Sequence, residues 1–173
     1  MNKAVLLDRD GTINFDFGYI HKVEDFKFLD GAIEALKLLT DLKYKLIIIT
    51  NQSGIGRKYF SLTDFKLVNE YMLKVLKNNG VEISHTYMCP HIDSDHCECR
   101  KPKLKMFYDA IKEYDIDINN SFVIGDKIRD LAICDKEKIN GILISKKYDS
   151  RYICKKSLLD AAKYIRKKTE IKK

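Results

Sequence analysis

The chain of 173 residues has the length of one domain, and its 45% hydrophobic and 33% charged content excludes a disordered or fibrous protein. Lys and Arg outnumber Asp and Glu by 32 to 25, so the formal charge of +7 favours an anionic partner, small substrate or nucleic acid, without choosing between them. No run reaches the ~20 apolar residues that a bilayer demands, and charge interrupts the start at Asp8, so a cytoplasmic protein with no membrane partner is expected.

The first apolar run, Ala4–Leu7, ends in Asp8, and Lys45–Ile49 ends in Thr50 and Asn51; both read as buried parallel strands because apolar residues do not alternate with polar ones. Between them Asp30 is placed to cap a helix running through Lys43, with Ile33, Leu36 and Leu39 on one face. Ser61 and Asp64 spell a capping box for a helix that stops at Asn78-Asn79-Gly80. Val81–Met88 reads as a third strand, delivering Cys89. Lys103–Tyr114 reads as a helix, Ser121–Ile124 as a strand, Arg129–Lys136 as a short helix after the Gly125-Asp126 bend, and Gly141–Ile144 as the strand that closes the series. Ser157 and Asp160 repeat the capping signal before a last helix. Its basic end, Lys163–Lys173, reads as a solvated helix terminus rather than a nucleic-acid tail, since Tyr164 stands alone there. The order of elements gives one α/β domain over 1–173: three layers, a mostly parallel sheet, helices on both sides.

In such sheets ligands gather beyond the carboxyl ends of the strands, and Asp8, Thr50, Cys89 and Asp126 all follow predicted strands. Asp8 and Asp10 in LLDRDGT are spaced to share one Mg²⁺ with Asp126, since a hard cation takes oxygen ligands and would offset the repulsion between carboxylates and a phosphate. Asp130 would face the same side and hold a metal-bound water or Lys127. The pattern points to phosphoryl transfer: Asp8 attacks phosphorus to form an aspartyl-phosphate, Asp10 protonates the departing alkoxide and later takes a proton from water, and Thr50 and Lys101 steady the phosphoryl oxygens. Asp16, Gly18 and Tyr19 sit where a loop can approach substrate, with an ordinary polar turn as the alternative. Arg100 offers a planar fork to a second phosphate or to sugar hydroxyls, with a surface ion pair as the alternative. Gly54-Ile55-Gly56 is a permissive loop, not a dinucleotide fingerprint.

Five cysteines, three of them within CPHIDSDHCECRKP, suit reduced thiols and metal ligation better than a disulfide scaffold. Cys89, His91, Cys97 and Cys99 offer three thiolates and an imidazole, a donor set suited to a structural Zn²⁺; Asp93, Asp95 and His96 compete, and a redox or metal-free loop is the alternative. Cys134 and Cys154 read as apolar fillers, and His21 and His85 as structural or surface residues.

With these residues in view, the sequence resembles the haloacid dehalogenase superfamily and, within it, the D-glycero-D-manno-heptose 1,7-bisphosphate phosphatases, over nearly its whole length: DRDGT, IIITNQSGIGR, CRKP and VIGDK carry the likeness. The resemblance implies a Rossmann-like fold with little or no cap, Asp8 as nucleophile, Asp10 as proton donor, and Mg²⁺ on Asp8, Asp126 and Asp10, the last through its backbone carbonyl. It implies Thr50 and Lys101 as phosphoryl stabilisers, a zinc loop on Cys89, His91, Cys97 and Cys99, and substrate contacts from Asp16, Phe17, Gly18, Tyr19, Thr50, Asn51, Gln52, Ser53, Arg100, Lys101 and Lys127. It also implies removal of the 7-phosphate from a small phosphorylated sugar, on the way to nucleotide-activated heptose for lipopolysaccharide or another surface glycan; a monomer is expected. Histidinol-phosphate phosphatase and polynucleotide 3′-phosphatase are the alternatives. Two departures, a short His91–Cys97 loop and Gly56-Arg57-Lys58 in place of Ala-Arg-Gly, fall on the outer rim of the expected pocket.

Overall fold

The computed structural model describes residues 1–171; Lys172 and Lys173, the end of the predicted basic stretch, lie outside the described residues. Six strands form one parallel sheet: β1 (Ala4–Leu7), β2 (Lys45–Asn51), β3 (Ile83–Cys89), β4 (Phe122–Gly125), β5 (Asn140–Ile144) and β6 (Ile153–Lys155), in the spatial order β3-β2-β1-β4-β5-β6. The chain winds outward from β1 through β2 to β3, then returns to the other side of β1 and winds through β4 to β6. That reversal between β1 and β4 opens a crevice at the carboxyl ends of the strands. Leu7 pairs with Ile48 on one flank and Ile124 on the other, which brings the loops after β1, β2 and β4 together.

Side chains alternate across the sheet. Val5, Leu7, Leu46 and Ile48 face a core shared with α1 (Ala32–Asp41), α3 (Leu62–Asn78) and α5 (Leu158–Ile171), through Leu36, Leu39, Val68, Met72, Ala161 and Ile165. Ala4, Leu6, Ile47 and Ile49 face a second core with α4 (Lys105–Glu113) and a 3₁₀ run over Ile128–Asp135, through Met106, Phe107, Ala110, Leu131 and Ile133. Burial on both faces is why β1 and β2 read as continuous apolar runs. A four-residue helix, α2 (Ser53–Gly56), follows β2 directly.

The Ser61 box is present: Ser61 Oγ accepts from the Asp64 N–H at 3.1 Å and the Asp64 carboxylate accepts from the Ser61 N–H at 2.7 Å. Ser157 Oγ likewise accepts from the Asp160 N–H at 3.1 Å, ahead of α5. Four expectations need correction. Asp30 does not cap α1: the cap position is Gly31, at φ 73° and without a side-chain bond, because the left-handed turn there favours glycine. The helix also ends at Asp41, before Lys43. The segment after Asp126 is 3₁₀ rather than α. The sheet does not close at β5: Ile142 pairs with Ile153 of β6, three partly exposed residues too short to carry a periodic signal. Among the described residues no helix is long and apolar enough to cross a membrane.

Candidate active site

The loop after β1 is a tight turn around the Arg9 carbonyl, which accepts from the N–H groups of Thr12, Ile13 and Asn14 at 3.2, 2.8 and 3.3 Å. Gly11 makes the turn at φ 87°, and a Cβ there would lie 2.4 Å from Asp126 Oδ2, so only glycine lets the β1 and β4 loops close on each other. The Asp8 N–H donates to the Ile124 carbonyl at 2.9 Å, tying the two loops at their base.

Lys101 crosses beneath them. Its Nζ lies 2.7 Å from Asp8 Oδ1, 2.8 Å from Asp130 Oδ1 and 2.6 Å from the Ile49 carbonyl, with the side chain 1% exposed. Burial pushes the Asp8 carboxyl up to about 7 even though the Lys101 ammonium opposes it, and Asp130 adds to the rise. Burial alone would lower Lys101, but the carboxylates of Asp8 and Asp130 outweigh it and hold the ammonium above its usual value. Asp130 thus serves Lys101 rather than the Lys127 ammonium that the sequence suggested; from Lys127 it takes only the backbone N–H, at 3.0 Å. The Lys127 ammonium instead reaches Asp16 at 3.1 Å, joining the 12–30 loop to the β4 loop.

Asp10 lines the same cavity as Asp8 and is held by its own set of donors. Its Oδ1 accepts from Arg9 Nη2 at 3.0 Å and Asn14 Nδ2 at 2.9 Å, and its Oδ2 from Arg9 Nε at 3.2 Å and Gln52 Nε2 at 2.8 Å. The same Gln52 nitrogen donates to Thr50 Oγ1 at 2.9 Å, linking the β1 and β2 loops.

Carboxylate oxygens of Asp8, Asp126 and Asp130 lie within 4.8 Å of one another. Asp126 Oδ1 is buried without a hydrogen-bond partner, and burial pushes that carboxyl up against the opposing charge of Lys127. An orphaned oxygen among clustered carboxylates fits a hard divalent cation. The other donor set is soft: Cys99 Sγ lies 2.7 Å from Cys89 Sγ and 3.6 Å from Cys97 Sγ, and His91 Nδ1 lies 3.2 Å from Cys99 Sγ. Four such atoms converging on one point fit a tetrahedral Zn²⁺ with all positions taken by protein. Cys134 and Cys154 lie apart from it, against the second core, as the sequence suggested.

Asp8, Asp10, Lys101 and Asp130 line a cavity of about 360 Å³, within the range of small-ligand sites. Of the predicted substrate residues, Asp16, Gly18, Tyr19, Asn51, Gln52, Ser53, Arg100, Lys101 and Lys127 line it. Thr50 is buried behind Gln52, and Phe17 is 64% exposed and stacked on Phe15, outside the cavity wall. Arg57 and Arg129 also line it; the sequence places Arg57 on the expected rim without assigning it a role, and does not single out Arg129. Their signal was present: each is an arginine just past a strand-end loop, one after β2 and one after β4. Arg100 donates from Nε to Asp93 Oδ1 at 2.7 Å, and Asp93 is held below the usual carboxylate range, first by that bond and also by the charges of Arg57 and Arg129. The outer rim is therefore strongly cationic.

A carboxylate pair after the first strand, a buried lysine between strand-end carboxylates and this sheet order define a hydrolase of the haloacid dehalogenase type. The polynucleotide kinase 3 phosphatase family matches residues 5–147. A protein of Pasteurella multocida named D-glycero-beta-D-manno-heptose-1,7-bisphosphate 7-phosphatase is 45% identical over 152 residues, covering 84% of this chain and 83% of its own. One of Campylobacter jejuni, named for the alpha anomer, is 46% identical over 129 residues, covering 75% and 74%. The solved D,D-heptose 1.7-bisphosphate phosphatase from B. bronchiseptica, complexed with magnesium and phosphate, superposes with a TM-score of 0.87 at 26% identity, covering 96% of this chain and 99% of that one. The chain belongs to the polynucleotide kinase 3 phosphatase family and groups with the D-glycero-D-manno-heptose-1,7-bisphosphate 7-phosphatases.

Proposed function

We propose that the protein removes the 7-phosphate from D-glycero-D-manno-heptose 1,7-bisphosphate through an aspartyl-phosphate on Asp8. The observation that carries the chemistry is the Lys101 ammonium seated 2.7 Å from the Asp8 carboxylate at the floor of a cavity rimmed by Arg57, Arg100, Lys127 and Arg129. The names of relatives at 45% and 46% identity support the substrate.

Asp8 supplies the nucleophilic oxygen, and its in-line approach is set by Lys101 and the bond to Ile124. Lys101 and the Thr50 strand end hold phosphoryl oxygens as charge shifts onto them. Asp10 gives its proton to the sugar oxygen as the P–O bond breaks, then takes one from the water that cleaves the aspartyl-phosphate. The side chains of Asp8, Asp126 and Asp130, with the Asp10 carbonyl, would hold a Mg²⁺, which would neutralise carboxylates that otherwise repel phosphate. Cys89, His91, Cys97 and Cys99 would hold a structural Zn²⁺, and thiols kept free for it suit a reducing cytoplasm. The cationic rim takes the second phosphate, with Arg100 held on that rim by its Nε bond to Asp93.

The deciding experiment is kcat/KM with Mg²⁺ on both heptose bisphosphate anomers, histidinol phosphate and a 3′-phosphorylated oligonucleotide, alongside Asp8→Asn. A heptose bisphosphate should be preferred by at least about tenfold, and Asp8→Asn should be folded but inactive. Preference for either of the other two substrates, or full activity without the Asp8 carboxylate, would overturn the reading.

A further inference from the structure

We infer that Arg9, the residue between the two aspartates, is the positioning residue for Asp10: its buried fork sets the carboxylate that carries the proton. This rests on the reading of Asp10 as proton carrier.

Arginine is among the residues least often fully buried, yet Arg9 is 0% exposed. Its Nε and Nη2 each meet a different oxygen of Asp10, at 3.2 and 3.0 Å, so the planar guanidinium fixes both the position and the tilt of the carboxylate. The ring of Phe65 backs the guanidinium at 5.4 Å, a cation–π contact on the face away from the hydrogen bonds of its edge. Nη1 is buried with no partner. A buried ion pair with one donor left unsatisfied is a poor way to stabilise a core that apolar side chains would fill as well. The cost is understandable if the pair serves the reaction. Asn14 holds Oδ1 and Gln52 holds Oδ2 by one bond each, and of the three residues Arg9 is the one that grips both oxygens with a single rigid group.

The step affected is proton delivery. As the Asp8 oxygen bonds phosphorus and the P–O bond to the sugar breaks, the bonding pair stays on the departing oxygen, and the Asp10 proton passes to it. An alkoxide leaves only with that proton. Nitrophenolate, a weak base, leaves without it. A misplaced Asp10 therefore slows sugar phosphates far more than p-nitrophenyl phosphate, whereas a general loss of folding or of phosphate binding slows both alike.

The test compares kcat/KM on heptose bisphosphate and on p-nitrophenyl phosphate for the parent protein, Asp10→Asn, Arg9→Met and Arg9→Lys, with thermal melts of each. Asp10→Asn serves as the control: if it slows both substrates alike, the proton-carrier reading itself fails, and the inference with it. Given a selective Asp10→Asn, both Arg9 variants should lose roughly 30-fold or more on the sugar phosphate and under about 3-fold on the nitrophenyl ester. Equal losses on the two substrates, or no loss, would overturn the role of Arg9 while leaving that of Asp10 standing. Arg9→Lys keeps the charge and stem in the core but removes the fork, so it decides the matter should Arg9→Met fail to fold.

Discussion

Asn51 clasps the backbone of Lys101 from both sides: its Nδ2 donates to the Lys101 carbonyl at 3.0 Å and its Oδ1 accepts the Lys101 N–H at 3.0 Å. The residue ending β2 thus replaces a strand partner for a segment 50 positions away, and it does so next to the ammonium that meets Asp8. Family resemblance places Asn51 against substrate; it lines the cavity, but its amide is spent on Lys101.

Removing that clasp should misplace the ammonium and strand two backbone groups. Asn51→Ala is expected to lower stability by about 1–3 kcal/mol, the usual cost of leaving buried polar groups unpaired, and to reduce kcat/KM by roughly 10- to 100-fold through the displaced lysine. Denaturant melts and steady-state assays measure the two effects. A variant with full activity would show that Lys101 is positioned by Asp8 and Asp130 alone.

The Cys/His knot ends at Cys99, two residues before Lys101, so removal of the Zn²⁺ proposed to sit there should propagate inward. Protein stripped by a chelator is expected to exchange amide hydrogens faster across Cys89–Cys99 and to lose turnover, without rescue by added Mg²⁺. Metal analysis together with exchange mass spectrometry checks this. Unchanged turnover in protein verified as zinc-free would uncouple the loop from catalysis.

The capping box of α3 predicts a stability effect remote from the chemistry. Ser61→Ala should cost about 1 kcal/mol. The Asp64 carboxyl is held below its usual value, first by the backbone N–H of Ser61 and then by its hydroxyl. A carboxyl lowered in the folded state adds stability above its unfolded pKa and loses it as pH falls through the folded one. The parent protein should therefore lose this increment on acidification below about pH 4, and Asp64→Asn should show less of that loss. Urea melts at pH 3 and pH 7 compare the two; equal pH dependence would exclude the box as a source of acid lability.

Much of the fold was legible because local signals agreed with the tertiary outcome. The apolar runs at Ala4–Leu7 and Lys45–Ile49 are buried on both faces, and Ser61 caps α3 as its spacing requires. Weaker signals misled where a neighbour decides. Asp30 has the chemistry of a cap, but the turn into α1 runs left-handed at Gly31. Residues 153–155 become β6 only because β5 offers an open edge.

The cast of residues is written in the chain: carboxylates after strand ends, a lysine following a thiol knot, and the alternation of apolar strands and amphipathic helices that makes a parallel sheet. These follow from short-range order, since a strand and the loop that leaves it are contiguous. The pairings came from the folded molecule alone: Asp130 with Lys101, Lys127 with Asp16, Asn51 with the Lys101 backbone, and Arg57 and Arg129 on one rim. Each joins loops brought side by side by the strand order around β1, and a hydrogen bond or ion pair depends on distances of a few ångströms that no spacing along the chain encodes.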